Sequence, residues 1–318
     1  MKNTMRPFTF VLAGPVLSRF YKGINLQALT EMCRIIKSID QRNEIIVSTY
    51  PNEMPEELVR FVDLVVLVED PGADLLRTGP WPVGPKSRRC MSNTTRMYLS
   101  SLRGIQNATN ELVIKSRVEL IPENHEKFKA WYTNIEPEIS EGKIGFFIES
   151  YEGINFSISG NLGHLPDILQ FGTKNTLLNI WHDSLEFWSE NRKILTRRTI
   201  RYPLGSDQIL GLCYLSRYHN FKLENKVRKL KKHYFSFGLM SKILNAEKST
   251  YIWSSYNNSG FSTNYFKGLT GIKTPSHILY KSKRDLMRRL VLVFLKKIKH
   301  HYRRLYVGLI YHLKCLGR

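Results

Sequence analysis

The sequence predicts an α/β fold: a nucleotide-binding, mixed but mainly parallel sheet with flanking helices, followed by a C-terminal basic amphipathic helical tail. Three observations predict it. Short, near-continuous apolar runs, each stopped by glycine, proline or polar residues, recur through the first half of the chain, as in strands buried on both faces. Segments with apolar residues at helical spacing separate them, so strand and helix alternate as in a parallel sheet. Residues 281–318 carry twelve Lys/Arg against one acid, with leucines at helical spacing.

Phe8-Thr-Phe-Val-Leu-Ala, ended by Gly14-Pro15, reads as the first strand. It is too short for the apolar region of a signal peptide with a cleavage site. A helix follows over Ile24 to Ile39, with Leu26, Leu29, Met32, Cys33, Ile36 and Ile39 on one side. Glu44 to Tyr50 is a β-branched run stopped by Pro51, Glu56 to Phe61 a short helix, and Val62 to Val68 a strand stopped by Asp70-Pro71-Gly72. Pro80 to Pro85 reads as loop and Asn93 to Asn107 as helix. Glu111 to Glu119 is a strand whose end turns polar. Asn124 to Tyr132 reads as helix, Lys143 to Ser150 and Phe156 to Ser159 as strands, and Trp181 to Glu190 and Asp207 to Tyr218 as helices. Tyr251 to Thr274, rich in Ser, Asn, Tyr and Gly, reads as irregular. The expected division is a domain over residues 1–235, an irregular linker or subdomain over 236–280, and the tail over 281–318.

The 318 residues are 42% hydrophobic, enough for a substantial core, but the formal net charge is +21. The tail contributes +11, so about half the excess is local. Such a charge points to anionic partners and says nothing about fold. The four cysteines are scattered without a Cys-x-x-Cys pair, which excludes a zinc framework and fits a reducing compartment. No stretch of eighteen uncharged apolar residues occurs. The expected location is cytoplasmic. No Gly-x-x-x-x-Gly-Lys or Gly-x-Gly-x-x-Gly loop appears, which removes support from kinase-type and dinucleotide-dependent functions. His164 and His182 are read as structural histidines rather than ligands.

In open parallel sheets ligands bind beyond the carboxyl ends of the strands, so the polar residues ending each run are the candidates. Gly14 and Pro15 follow the first strand, Asp70 the third, and Lys115, Arg117 and Glu119 the last. Side chains alternate along a strand, so these last three share one side. Two cations there suit a diphosphate, and a carboxylate suits the divalent ion that neutralises it. The plainer alternative is a strand end with an ordinary salt bridge. Asp70 could contact a nucleotide or cap the Pro71-Gly72 turn, and Asn93 with Arg96 could serve a ligand or begin a helix. Asp207 could be a general base or a helix cap.

The order of these pieces resembles the WavE-type lipopolysaccharide synthesis family. The pieces are Gly14-Pro15, Ile45 to Tyr50, Asp63, Asp70-Pro71-Gly72, Ser92 to Arg96, Gly104 to Ala108, and Val113 to Glu119, within Phe8 to about Leu215. The family's Lys-x-Arg-x-Asp is similar to a one-carboxylate version of the Asp-x-Asp signature of GT-A enzymes. This chain departs from it with Glu119, whose longer arm still ligates but shifts the ion. The resemblance implies a GT-A-like, nucleotide-sugar-dependent glycosyltransferase. Gly14, Pro15, Asp70, Asn93, Arg96, Lys115 and Arg117 would bind the donor, Glu119 would hold Mn or Mg, and Asp207, in Ser206-Asp207-Gln208, would act as base. The acceptor would be a lipopolysaccharide-core or capsule glycolipid or oligosaccharide. A non-catalytic glycan- or membrane-binding protein with a degenerate glycosyltransferase fold is the alternative.

In the tail, Leu286, Leu290, Val293, Phe294, Ile298, Leu305, Leu309 and Leu313 form the apolar stripe, with basic residues filling much of the remainder. That composition suits a helix in an anionic membrane interface, with Tyr302, Tyr306 and Tyr311 at headgroup level. The expectation is an enzyme peripheral at the inner face of the plasma membrane. Packing of the stripe on the protein's own core, and nucleic-acid binding, are the alternatives. No nucleic-acid partner is expected, because no RNA-recognition or helix-turn-helix signature occurs.

Overall fold

A computed structural model of the chain describes residues 5–17, 26–72, 74–76, 90–122, 124–148, 165, 167–195, 206–219 and 251–255. Its elements run β1 (Phe8–Ala13), α1 (Leu26–Ile39), β2 (Glu44–Thr49), α2 (Glu56–Val59), β3 (Leu64–Leu67), β4 (Asp74–Leu76), β5 (Cys90–Ser92), α3 (Thr94–Asn107) and β6 (Leu112–Arg117). They continue with α4 (His125–Ile135), β7 (Ile144–Ile148), β8 (Leu169–Thr173), α5 (Lys174–Leu195), α6 (Ser206–Tyr218) and β9 (Tyr251–Ser255). Seven strands form one sheet in the order β3-β2-β1-β6-β8-β7-β9, while β4 and β5 pair as a separate antiparallel ribbon. The β3-β2, β2-β1, β1-β6 and β7-β9 pairings are parallel, and β8 runs antiparallel to both β6 and β7.

The order places a topological switch beside β1. From β1 the chain moves outward to β2 and then β3, then returns to set β6 on the other flank of β1. In open sheets the carboxyl ends of the strands at such a point, here β1 and β6, are where ligand crevices form. Every residue of β1 is buried, as expected for the central strand of a sheet covered on both faces.

One face carries α1 and α4. Leu29, Met32, Cys33 and Ile36 of α1 and Phe128, Trp131, Tyr132 and Ile135 of α4 pack against Phe8, Phe10 and Leu12, with Ile114 and Phe171. The buried Asn43 fastens this layer. Its side-chain oxygen accepts from Phe8 N at 2.9 Å and Tyr132 Oη at 2.7 Å, and its amide donates to Ile36 O at 3.1 Å. The other face carries α3, α5 and α6, whose Tyr98, Ile105, Leu177, Trp181, Ile209 and Tyr214 cover Val11, Ile46 and Val113. Gly104 brings α3 against the sheet: a Cβ there would overlap Val11 Cγ1 and stand 3.1 Å from Ser48 Cβ.

Several elements differ from the sequence expectation. The helix expected over Trp181 to Glu190 begins at Lys174 and reaches Leu195, and the strand β8 just before it was not anticipated. Tyr251–Ser255, expected to be irregular, forms β9 and joins the sheet beside β7. The Pro80–Pro85 loop, the Phe156–Ser159 strand, His164 and the 281–318 tail lie outside the described residues. Among the described residues no helix is long and apolar enough to cross a membrane.

Candidate active site

The crevice at the switch is built from the carboxyl ends of β1 and β6. Val118 N donates to Ala13 O at 3.3 Å, and Gly14 N donates to Ser48 O at 3.0 Å, so the loops start from a hydrogen-bonded base. Gly14 has φ +125°, a conformation a side chain would strain, and its open α-carbon faces Val118 Cγ2. Pro15 follows, partly buried. Glu119 leaves β6 on this same edge, its side chain 10% exposed.

Alternation along β6 turns Val113, Lys115 and Arg117 toward the α3/α5/α6 face. Lys115 is wholly buried there. Its ammonium lies 4.7 Å from the centre of the Trp181 ring and donates to the Asp167 carbonyl. Trp181 in turn donates to Gln170, the β8 partner of Lys115. Burial pushes the Lys115 ammonium down to about 8, against the opposing pull of Asp167. A direct diphosphate contact, expected of Lys115 as of Arg117, is not available to a side chain so enclosed.

Asp167 organises this cluster. It is 2% exposed and takes the Arg117 guanidinium through Nε–Oδ2 at 3.0 Å, Nη2–Oδ1 at 2.9 Å and Nη2–Oδ2 at 2.7 Å. Burial alone would raise the Asp167 carboxyl; Arg117 and Lys115 overcome it and hold the group below the ordinary carboxylate range. The same attraction, with Glu119 adding to it, holds Arg117 more basic than usual despite its burial. The remaining guanidinium nitrogen, Nη1, stands 3.6 Å from Glu119 Oε1.

Asp207 reaches the cluster from the first turn of α6. Its side chain approaches Asp167, and Ser206 Oγ lies 3.3 Å from Asp207 Oδ1. Two further contacts fix the start of α6: Leu165 N donates to Asp207 O at 2.9 Å and Tyr98 Oη to Ser206 O at 2.8 Å. Lys115, Arg117, Glu119 and Asp207 thus converge, with Gly14 and Pro15 on the same sheet edge.

Asp70, Asn93 and Arg96 form a second group, beyond β3. Arg96 clamps Asp70 at 2.6 and 2.5 Å and donates to Asn93 Oδ1 at 3.2 Å, while Gly72 N donates to Asp70 Oδ1 at 2.9 Å. The guanidinium holds the Asp70 carboxyl below its usual range. Asn93 caps α3 with no side-chain bond to the helix backbone. The buried Asp74 does so instead, accepting from Thr95 N at 2.9 Å and pairing with Arg192 at 2.8 Å. An open hollow of about 680 Å3, lined by Leu67, Val68, Glu69, Pro71, Leu99 and Arg103, flanks this group rather than Glu119.

Asp167 and Asp74 are the residues sequence reasoning missed. A buried and a partly buried cation on β6 imply a carboxylate opposite them, but nothing local marks which acid supplies it. Among the described residues, three potential metal ligands cluster at His182, Asp183 and Glu186 on α5. His182 is exposed and Asp183 is already paired with Arg217 at 2.7 Å, so the group reads as a solvated helix face. Asp63, in the matching pieces, takes Lys37 at 2.8 Å and Ile45 N at 2.7 Å and is structural.

Among solved structures, the chain is similar to a mannose-1-phosphate geranyltransferase from Thermus thermophilus at 11% identity and a TM-score of 0.32, over 65% of this chain and 67% of that one. It is also similar to a mannosyltransferase from Pyrobaculum calidifontis in complex with GDP-Man and Mn2+, at 10% identity and a TM-score of 0.34, over 95% of this chain and 88% of that one. Both likenesses are weak. No curated protein matches the chain. Residues 8–241 match the family described as WavE lipopolysaccharide synthesis, and the chain belongs to that family.

Proposed function

We propose that the chain is a GT-A-like glycosyltransferase that moves a sugar from a nucleotide-sugar donor to a lipopolysaccharide-core or capsule acceptor. The observation that carries this reading is the charged cluster at the carboxyl ends of β1 and β6, where Arg117, Glu119 and Asp207 lie on the sheet edge that also carries Gly14-Pro15. Gly14-Pro15 gives the nucleotide a close backbone approach, and Arg117 faces the diphosphate. Asp207 accepts the proton of the acceptor hydroxyl as its oxygen bonds to the anomeric carbon and the bond to the diphosphate breaks. Lys115 acts on that edge through the Asp167 carbonyl and its own field.

Glu119 belongs to no three-ligand cluster among the described residues. A Mn2+ or Mg2+ ion that keeps its waters and shares substrate phosphates needs only one or two carboxylates, so Glu119 fits as the protein ligand of a donor-borne ion. When bound, that ion neutralises charge on the departing diphosphate. Asp70, Asn93 and Arg96 would serve the base or ribose, the nucleotide competing with Arg96 for Asp70.

Thermal shift with a panel of nucleotide sugars, with and without Mn2+, tests this, because a ligand that binds only the native state stabilises it. Glu119→Gln is expected to abolish transfer with little change in melting temperature. Asp207→Asn should cut transfer by roughly two to four orders of magnitude while donor binding survives. Nucleotide binding without turnover in the wild type would favour the non-catalytic alternative. Residues 281–318 are proposed to hold the enzyme on an anionic membrane at the cytoplasmic face. Truncation after Tyr280 should spare transfer to a water-soluble acceptor and lower it on acceptor in anionic vesicles. Unfolding on truncation would instead assign the stripe to the core.

A further inference from the structure

Arg117 stands between two carboxylates. Asp167 takes Nε and Nη2 at 2.7–3.0 Å, while Nη1 reaches Glu119 at only 3.6 Å. Arg117 ends β6 and Glu119 sits two residues on, in the turn closed by Leu120 N donating to Arg117 O, so a turn of the guanidinium would convert that loose contact into a close pair. A guanidinium closed on Glu119 would compete with any cation there, by charge and by occupying the carboxylate oxygens. Asp167 itself is 2% exposed and sits behind Arg117, so it acts through its neighbours.

We propose that Asp167 is a positioning residue that holds Arg117 off Glu119, so that the Glu119 carboxylate accepts the divalent cation accompanying a nucleoside diphosphate. This rests on the glycosyltransferase reading above. The anchoring is built in: the backbone carbonyl of Asp167 takes Lys115 and its side chain is almost wholly buried, so the group Arg117 leans on is held in place. The same residue keeps the donor-side cation and the acceptor-side carboxyl in one frame.

A double-mutant cycle reads this directly. Mn2+ binding is titrated by electron paramagnetic resonance of the free ion at saturating UDP or GDP, for wild type, Asp167→Asn, Arg117→Gln and the double variant. With Arg117 present, Asp167→Asn should weaken Mn2+ binding roughly tenfold or more, the size expected for losing a residue that orients a metal ligand. In the Arg117→Gln background the same change should alter binding by less than about threefold, because no guanidinium remains to close on Glu119. Equal losses in both backgrounds would make Asp167 merely structural and overturn the proposal. Asp167→Asn leaves a buried guanidinium short of its partner and risks unfolding. Asp167→Glu, which keeps the charge, must therefore bind Mn2+ within about threefold of wild type, and a larger loss there also overturns it. A wild type that no member of the nucleotide-sugar panel stabilises refutes the glycosyltransferase reading, and this inference with it. Nucleotide binding that survives with Mn2+ binding indifferent to Asp167 refutes the inference alone.

Discussion

Raising the pH from 7 to 9 should stabilise this protein through one buried amine, and Lys115→Met should remove that gain. Lys115 is fully enclosed, between the Trp181 ring and the Asp167 carbonyl. Burial favours its neutral form and lowers the folded-state value from 10.5 to about 8. Between those values the unfolded chain binds the proton more readily than the native one, so stability rises with pH across that window. At 1.36 kcal/mol per pH unit the full gain is about 3.4 kcal/mol, of which about 1.3 kcal/mol falls between pH 7 and 9. Buried Cys33, Cys213 and Tyr50, each raised to about 12, act in the opposite sense as pH climbs past their unfolded values. They are common to both proteins and cancel in the difference. Methionine keeps the stem's volume and a favourable contact with the indole. Urea unfolding at pH 7, 8 and 9 measures the effect: wild type should gain on Lys115→Met by about 1.3 kcal/mol across the range, or about 3–5 °C in Tm. Parallel pH profiles would refute the reasoning and mean that Asp167 and its neighbours hold the ammonium charged throughout.

Two further outcomes concern the packing that positions the crevice. Asn43→Ala should cost about 2–4 kcal/mol in denaturant unfolding, because Phe8 N, Tyr132 Oη and Ile36 O all lose a buried partner at once. Gly104→Ala should destabilise by about 1–2 kcal/mol, since overlap with Val11 outweighs the gain of about 1 kcal/mol in helix propensity; a stabilised variant would show that α3 can move off the sheet.

The parallel half of the sheet was legible because its three inner strands write the same signal. Phe8–Ala13, Glu44–Thr49 and Leu112–Arg117 are runs of apolar residues buried on both faces, and each ends where the chain turns polar. The antiparallel half was not. Strand β8 reads Leu-Gln-Phe-Gly-Thr, with a buried Gln170 that is affordable only because Trp181, eleven residues on, supplies its hydrogen bond. No local pattern announces that. Because β8 runs against β6 with Ser116 opposite Leu169, the residues just before β8 fall at the carboxyl edge of β6. That register delivers Asp167 to Arg117, and a register set by pairing across some fifty residues is invisible to spacing along the chain. Lys115 and Arg117 were visible as cations on one side of a strand. Their enclosure depends on α5 and its Trp181, whose first turns the helical pattern did not show.

The charges of the crevice also bear on why a cation would be needed in a protein with a formal charge of +21. The excess lies largely elsewhere. At the switch, Lys115 and Arg117 face Asp167, Glu119 and Asp207, two cations against three acids. That leaves one acid more than the cations match. A nucleoside diphosphate would therefore enter a site with no positive charge to spare, and the basic strand end alone would not balance it. Lys115 is committed inward to the Asp167 carbonyl, and Arg117 is largely neutralised by the Asp167 carboxylate. A divalent ion on Glu119 would supply the missing charge at the one acid whose guanidinium contact is long.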